Sequence, residues 1–327
     1  MTSRVLSGMQ PSGLMHLGNL LGALENWKTL QAQYECYFFV ADWHALSTNY
    51  ADTSRIKEYS LELLIDWLAA GIDPNRATVF IQSSVPEHAI LHLLLSMIVP
   101  IPWLERNPTY KEKREEITEK DLSTYGFLGY PVLQAADILL YKPDFVPVGK
   151  DQLPHLELTR ELGRRFNSLY SPVFPEPKEH LTQFPKVLGT DGRKMSKSYG
   201  NTINLSDTEP VVRQKLKTMV TDPARVRRTD KGNPDVCPVF DFHKIYSSPD
   251  VVNQIDQDCR TAAIGCIDCK RQVADAIVKC YSPMWEKRAA LSHNPGQIQE
   301  IVEEGRKRAT HVAHDTMQEV KSAMKIL

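Results

Sequence analysis

Short apolar runs alternate with longer amphipathic stretches over the first two hundred residues. Residues 4–7 (RVLS), 36–41 (CYFFVA), 78–82 (TVFIQ) and 145–148 have the continuous apolar character of strands buried on both faces. Between them, residues 17–30, 54–70, 88–98, 132–141 and 152–166 place apolar side chains at helical spacing. After residue 205 the strand pattern stops, and residues 207–220, 269–281 and 295 to the end read as helices. This order predicts an α/β fold, a Rossmann-like doubly wound parallel sheet in residues 1–204, with ligands at the carboxyl ends of its strands. A smaller α-helical domain is expected over residues 205–327.

Composition narrows the class without naming a function. The 327 residues are 42% hydrophobic and 24% charged, as in globular proteins. No apolar run approaches the length of a membrane span, and the first residues, MTSRVLSGMQ, lack the apolar core of a signal peptide. A cytoplasmic protein with no membrane partner is the expectation, and persistent disulfides are rare there. A net charge of −1 leaves any nucleic-acid contact to local basic clusters. Two candidates are Arg225, Arg227, Arg228 and Lys231, and Arg306, Lys307 and Arg308. Residues 90–107 are apolar enough for a subunit interface or a buried core helix.

Two segments carry the chemistry. QPSGLMHLGN (10–19) lies at the first strand-to-helix turn, where helix amides and the dipole's positive end favour phosphate. Gly13 and Gly18 allow close backbone approach, and His16 and Asn19 supply donors. DGRKMSKSYGN (191–201) puts Lys194 and Lys197 into a Gly- and Ser-rich loop suited to closing over a triphosphate. HLGN and KMSKS, in this order and at this separation, resemble the paired elements of class I aminoacyl-tRNA synthetases. GYPVLQAADILLY (129–141) and VGKDQLPHLELTRELGRRFN (148–167) are similar to the bacterial-type tryptophanyl-tRNA synthetases.

That resemblance implies an ATP- and Mg²⁺-dependent ligase that activates L-tryptophan and charges tRNA(Trp), working as a homodimer. It implies catalytic roles for His16, Asn19, Lys194, Ser196 and Lys197. ATP would meet Gln10, Pro11, Ser12, Gly18, Asn19, Gly149, Lys150, Asp151, Val187, Lys194, Met195, Ser196, Lys197 and Ser198, with Lys113 near the pyrophosphate. Tryptophan would meet Asp137 through its indole N–H, with Tyr130, Gln152, His44 and Gln134 around it. Leu6 stands where some relatives stack an aromatic ring on the indole. Gln134 and Asp137 form a Q-x-x-D pair shared with tyrosyl-tRNA synthetases, so tyrosine is the second candidate substrate. A synthetase-like nucleotide-binding or adenylyltransferase module without tRNA charging is the alternative class.

Six cysteines are unevenly spread. Cys237, Cys259, Cys266 and Cys269 give C-x21-C-x6-C-x2-C, whose last pair lets two thiolates converge on one metal. Four thiols suit either a [4Fe–4S] cluster or a structural zinc. A subset of the bacterial tryptophanyl enzymes resembling this chain carries the cluster on nearly this spacing. Cys36 and Cys280 read as small buried hydrophobes.

Overall fold

The computed structural model describes residues 3–116, 121–181 and 187–326, with the backbone alone for 113–116. Its sheet has five parallel strands in the order β3-β2-β1-β4-β5: β1 Arg4–Met9, β2 Glu35–Val40, β3 Ala77–Ile81, β4 Phe145–Val148 and β5 Lys178–Leu181. Strand order reverses between β1 and β4, which opens a crevice at their carboxyl ends. The predicted doubly wound sheet is therefore present.

Four strands match the apolar runs, but β5 has the sequence KEHL and stands exposed at the edge. An edge strand with charged side chains resists pairing with another chain, and it carries no apolar signature. The helix expected from residue 132 begins at Tyr125, capped by the Thr124 hydroxyl accepting from the Phe127 amide, and it continues through Pro131 to Tyr141. The helix expected over residues 17–30 appears as Leu17–Asn19 and Glu25–Leu30 with a π-helical turn at Leu20–Leu24 between them, and the other expected helices appear as Ile56–Ala70, Glu87–Ser96, Leu153–Leu169, Glu209–Thr218, Cys266–Ser292 and Pro295–Met324. Further helices occupy Asp42–Asn49, Pro238–Tyr246 and Pro249–Arg260.

The chain forms two compact units that interleave along the sequence. One comprises Met1–Gly13, Glu25–Phe184 and Asn294–Leu327; the other comprises Leu14–Leu24 and Pro185–His293. This division differs from a single break at residue 204. The reason at the C-terminus is packing: Pro295–Met324 lies on β3, and a Cβ at Gly305 would collide with the carbonyl oxygen of Val79. Ala309, Ala313, Met317 and Val320 of that helix join the same apolar core as Phe80, Leu91 and Leu139. Near the N-terminus, the Leu17 amide donates to Ile203 O (3.0 Å) and Leu205 donates to Met15 O (2.9 Å), so the first turn is stitched to the segment after KMSKS.

Candidate functional site

At the sheet crevice a cavity of about 160 Å³ is lined by residues from β1, β4, Asp42–Asn49 and Tyr125–Tyr141. Asp137, Tyr130, Gln152, His44, Gln134 and Gln10 all line it, with Leu6 among its apolar walls. Thus the five residues expected around the amino acid come together. Gly8 is required nearby, because a Cβ there would enter the Phe39 ring.

Asp137 is the chemical centre of this cavity and is 1% exposed. Its Oδ2 pairs with His44 Nε2 at 2.8 Å; its Oδ1 accepts from Gln82 Nε2 and pairs with His88 Nδ1, both at 2.7 Å. Burial by itself would raise this carboxyl, but the hydrogen bonds from His44 and His88 outweigh it and leave it at about 2. A carboxylate offers about four acceptor positions. Three are occupied, so one is left for a donor on a ligand, on the oxygen that His44 also touches. Sequence reasoning missed Gln82 and His88, both wholly buried. Neither sits in a recognisable motif, and only folding brings them 55 and 49 residues across the chain to Asp137.

Tyr130 is buried, its hydroxyl 3.2 Å from His155 Nε2, and burial pushes it well above its ordinary range. At the end of β4, Gly149 is buried while Lys150 and Asp151 are exposed, and the Gln152 amide donates to Asp151 Oδ2 at 2.8 Å. Pro11 is buried and Ser12 exposed beyond β1. The side chains of residues 113–120, including Lys113, lie outside the described residues.

The second unit holds the other predicted elements. His16 is 8% exposed, and its Nδ1 is buried without a hydrogen-bond partner among the described residues. Burial, and then the charge of Lys197, bring its imidazole down to about 4, so it is neutral at pH 7. A Cβ on Gly18 would press on this ring at 3.1 Å and touch Val187 at 3.8 Å. The Asn19 side chain accepts from the His16 amide at 3.1 Å, closing the turn. The Leu17 amide at this helix start is spent on Ile203 O.

The KMSKS loop is built around Asn201, which is 2% exposed and carried no predicted role. Asn201 Oδ1 accepts from the Ser196 amide (2.8 Å), and its Nδ2 donates to Asp191 (2.7 Å) and to Lys194 O (3.2 Å). A Cβ at Gly189 would occupy the space of the Asn201 amide. Met195 is buried as an anchor, and Lys194, Lys197 and Ser198 face outward. Hydrogen bonds from Asn201 and Arg193 hold Asp191 down at about 2.

Of the basic clusters, several members are structural. Arg225 is 8% exposed and donates to Ile264 O, while Arg228 donates to Ala263 O at 2.8 Å. Both hold the stretch between Cys259 and Cys266. Arg306 and Lys307 pair with Glu303 and Glu304, and Arg308 donates to Pro74 O at 2.8 Å.

The four thiols are gathered in this unit. Burial first, and then the neighbouring Cys237, Cys259 and Cys266, push the Cys269 thiol up to about 12. Arg225 Nη1 stands 3.6 Å from Cys259 Sγ, and His243 Nε2 stands 3.5 Å from Cys269 Sγ. As placed, they do not close on an ion: among the described residues there is no group of three or more His, Cys, Asp or Glu side chains that could hold a metal. None of the six cysteines, all among the described residues, is in a disulfide; Cys36 is buried as expected, whereas Cys280 is exposed.

The geometry can be set beside known proteins. A family profile described as "tRNA synthetases class I (W and Y)" matches residues 1–282. The chain is 53% identical over 326 residues to the tryptophan–tRNA ligase of Thermotoga maritima, covering 99% of each. It is 45% identical over 391 residues to that of Ralstonia nicotianae, covering 98% of each. The crystal structure of the Campylobacter jejuni tryptophanyl-tRNA synthetase, complexed with ADP and tryptophan, superposes with a TM-score of 0.92. That structure is 31% identical, and the match covers 99% of this chain and 100% of that one.

Proposed function

The chain belongs to the class I tRNA synthetases of tryptophan and tyrosine and is a tryptophan–tRNA ligase; on that premise we propose a role for each of its sites. The reaction joins the carboxylate of tryptophan to the α-phosphorus of Mg²⁺-bound ATP, releasing pyrophosphate. The acyl group then passes from the adenylate to a ribose hydroxyl of tRNA(Trp), releasing AMP. Such phosphoryl chemistry needs positioning and charge stabilisation rather than a protein nucleophile.

The reading rests on Asp137, a desolvated carboxylate with one acceptor position left in a cavity bordered by Tyr130, Gln134, Gln152 and His44. An indole N–H fills that position. A side chain without a donor leaves the carboxylate unsatisfied, which penalises phenylalanine. Tyr130 and Gln152 hold the α-amino group. His16 meets phosphate through its imidazole, Asn19 shapes its turn, and Lys194, Ser196 and Lys197 meet the triphosphate. The remaining nucleotide contacts are Gln10, Pro11, Ser12, Gly18, Gly149, Lys150, Asp151, Val187, Met195 and Ser198. ATP–pyrophosphate exchange tests the assignment: it should require tryptophan, and exchange supported equally by tyrosine overturns it.

Three further assignments accompany this one. The helical residues beyond 205 contact the tRNA anticodon arm, with Arg227, Arg228 and Lys231 as the exposed members of their cluster. A homodimer forms through the exposed apolar row Ile90, Leu93, Met97 and Ile101, which sedimentation of a Leu93→Glu variant would test. The enzyme is assigned to the cytoplasm, where its tRNA substrate is used; among the described residues no helix is long and apolar enough to cross a membrane.

The thiol group is proposed as a [4Fe–4S] or zinc site, supported by the mutual influence of the four cysteines at Cys269. Its ligands would be Cys237, Cys259, Cys266 and Cys269, and its part would be to staple the helical unit. Anaerobic reconstitution with iron and sulfide, read by visible absorption, separates the two metals. Failure to bind either one removes the assignment.

A further inference from the structure

His88 is 0% exposed, at the start of the helix Glu87–Ser96. Its ring centroid lies 5.8 Å from that of Phe39, 6.1 Å from that of Phe80 and 5.4 Å from that of Tyr141. This apolar cage leaves the imidazole two polar neighbours: Asp137 Oδ1 on Nδ1 at 2.7 Å and the Tyr141 hydroxyl on Nε2 at 2.9 Å. Asp137 is an acceptor only, so Nδ1 must carry a proton. The Tyr141 hydroxyl stays protonated, because burial and then the nearby Asp137 push it well above its ordinary range. Its O–H therefore points at Nε2 and makes that nitrogen an acceptor. Two partners thus select one tautomer, which is the commoner way a buried imidazole is oriented. Tyr141 is itself held in place: Arg4 Nη1 donates to its carbonyl oxygen at 2.7 Å, and the helix ends one residue later at Lys142 with φ 47°.

We propose that His88 and Tyr141 are positioning residues for amino-acid selection: Tyr141 sets the imidazole tautomer, and His88 thereby fixes the Asp137 carboxylate so that its unoccupied acceptor position faces the ligand's N–H. This rests on the reading of Asp137 as the indole acceptor. The pair touches no substrate. With Gln82, it occupies Oδ1 fully and so directs the ligand to Oδ2, beside His44. A carboxylate free to rotate would present either oxygen and discriminate poorly, because hydrogen-bond selectivity depends on a fixed, desolvated partner.

The test couples the ligand's N–H to the imidazole. L-tryptophan and the analogue with sulfur in place of the indole N–H are titrated calorimetrically into the full chain and its variants. The wild type should prefer tryptophan by about 100-fold. His88→Leu should reduce this preference at least about tenfold, and Tyr141→Phe about threefold to tenfold. His88→Asn, which keeps a donor at the Nδ1 position, should retain it within about threefold. A preference in His88→Leu equal to the wild type's overturns the inference while leaving the Asp137 reading standing. An absence of preference in the wild type overturns the Asp137 reading itself. Should His88→Leu fail to fold, ¹⁵N-imidazole NMR of the wild type decides. The Nδ1–H neutral tautomer, assigned by its loss in His88→Asn, is expected, and an Nε2–H tautomer or an imidazolium overturns the proposal.

Discussion

The cavity around Asp137 and the KMSKS loop handle polarity in opposite ways. Around Asp137 every donor is buried, at 2.7–2.8 Å, and aimed at one carboxylate. In the loop, the buried polar group, Asn201, holds the backbone together, while the lysines that would meet phosphate are exposed. Recognition of one N–H among similar side chains needs a fixed, dry acceptor, since the penalty for a mismatch comes from desolvation. Stabilising charge that develops on phosphate needs cations that can follow it, and a compact ammonium on a flexible stem serves. On the proposed roles, the two regions teach that selectivity and rate enhancement are housed in differently solvated parts of the same enzyme.

Replacing the acceptor is the sharpest way to break that contrast. Asp137→Asn should lower kcat/KM for tryptophan on the order of 10³-fold, because the amide puts a donor against His or Gln donors and against the indole. Exchange kinetics with tryptophan and tyrosine would measure it. Lys197→Ala comes next, with kcat falling about 100-fold, little change in the KM for tryptophan and an unchanged melting temperature. A large shift in that KM would contradict the separation of roles. Asn201→Ala should slow exchange about tenfold and also lower stability by about 1–3 kcal/mol, as a buried hydrogen-bonding hub is lost. Thermal melting beside kinetics tests whether the loop's order and its activity move together.

The smallest effect is a pH dependence. His16 is depressed to about 4 from an ordinary value near 6.5, so its neutral form is the one folding favours. Its contribution is full above pH 6.5 and is lost as pH falls from 6.5 toward 4, where the unfolded chain binds the extra proton. Asp137 and Asp191, lowered to about 2, add a loss of the same sign below about pH 4. His16→Gln should flatten that dependence between pH 6.5 and 4, measured by urea unfolding at each pH.

Much of this site was legible because its signals are local. HLGN and KMSKS are contiguous strings, and Asp137 sits in the motif-bearing run AADILLY. What escaped has no local signature. β5 is polar because it is an edge; Asn201 gains its role only when Gly189 lets it approach; Arg225 and Arg228 read as a nucleic-acid cluster but spend their donors on backbone carbonyls. A guanidinium looks the same in sequence whether it faces water or a carbonyl.

The sequence by itself determined the alternation of strands and helices, the parallel sheet and the residue types of the HLGN turn, the KMSKS loop and the Asp137 run. Periodicity and short motifs encode those within a few turns of chain. Only the tertiary structure decided that Pro295–Met324 packs on β3, that Cys259 lies against Arg225, and that His88 and Gln82 converge on Asp137. Those facts depend on which distant segments share one dry volume, and no residue's own neighbours in the chain specify its neighbours in space.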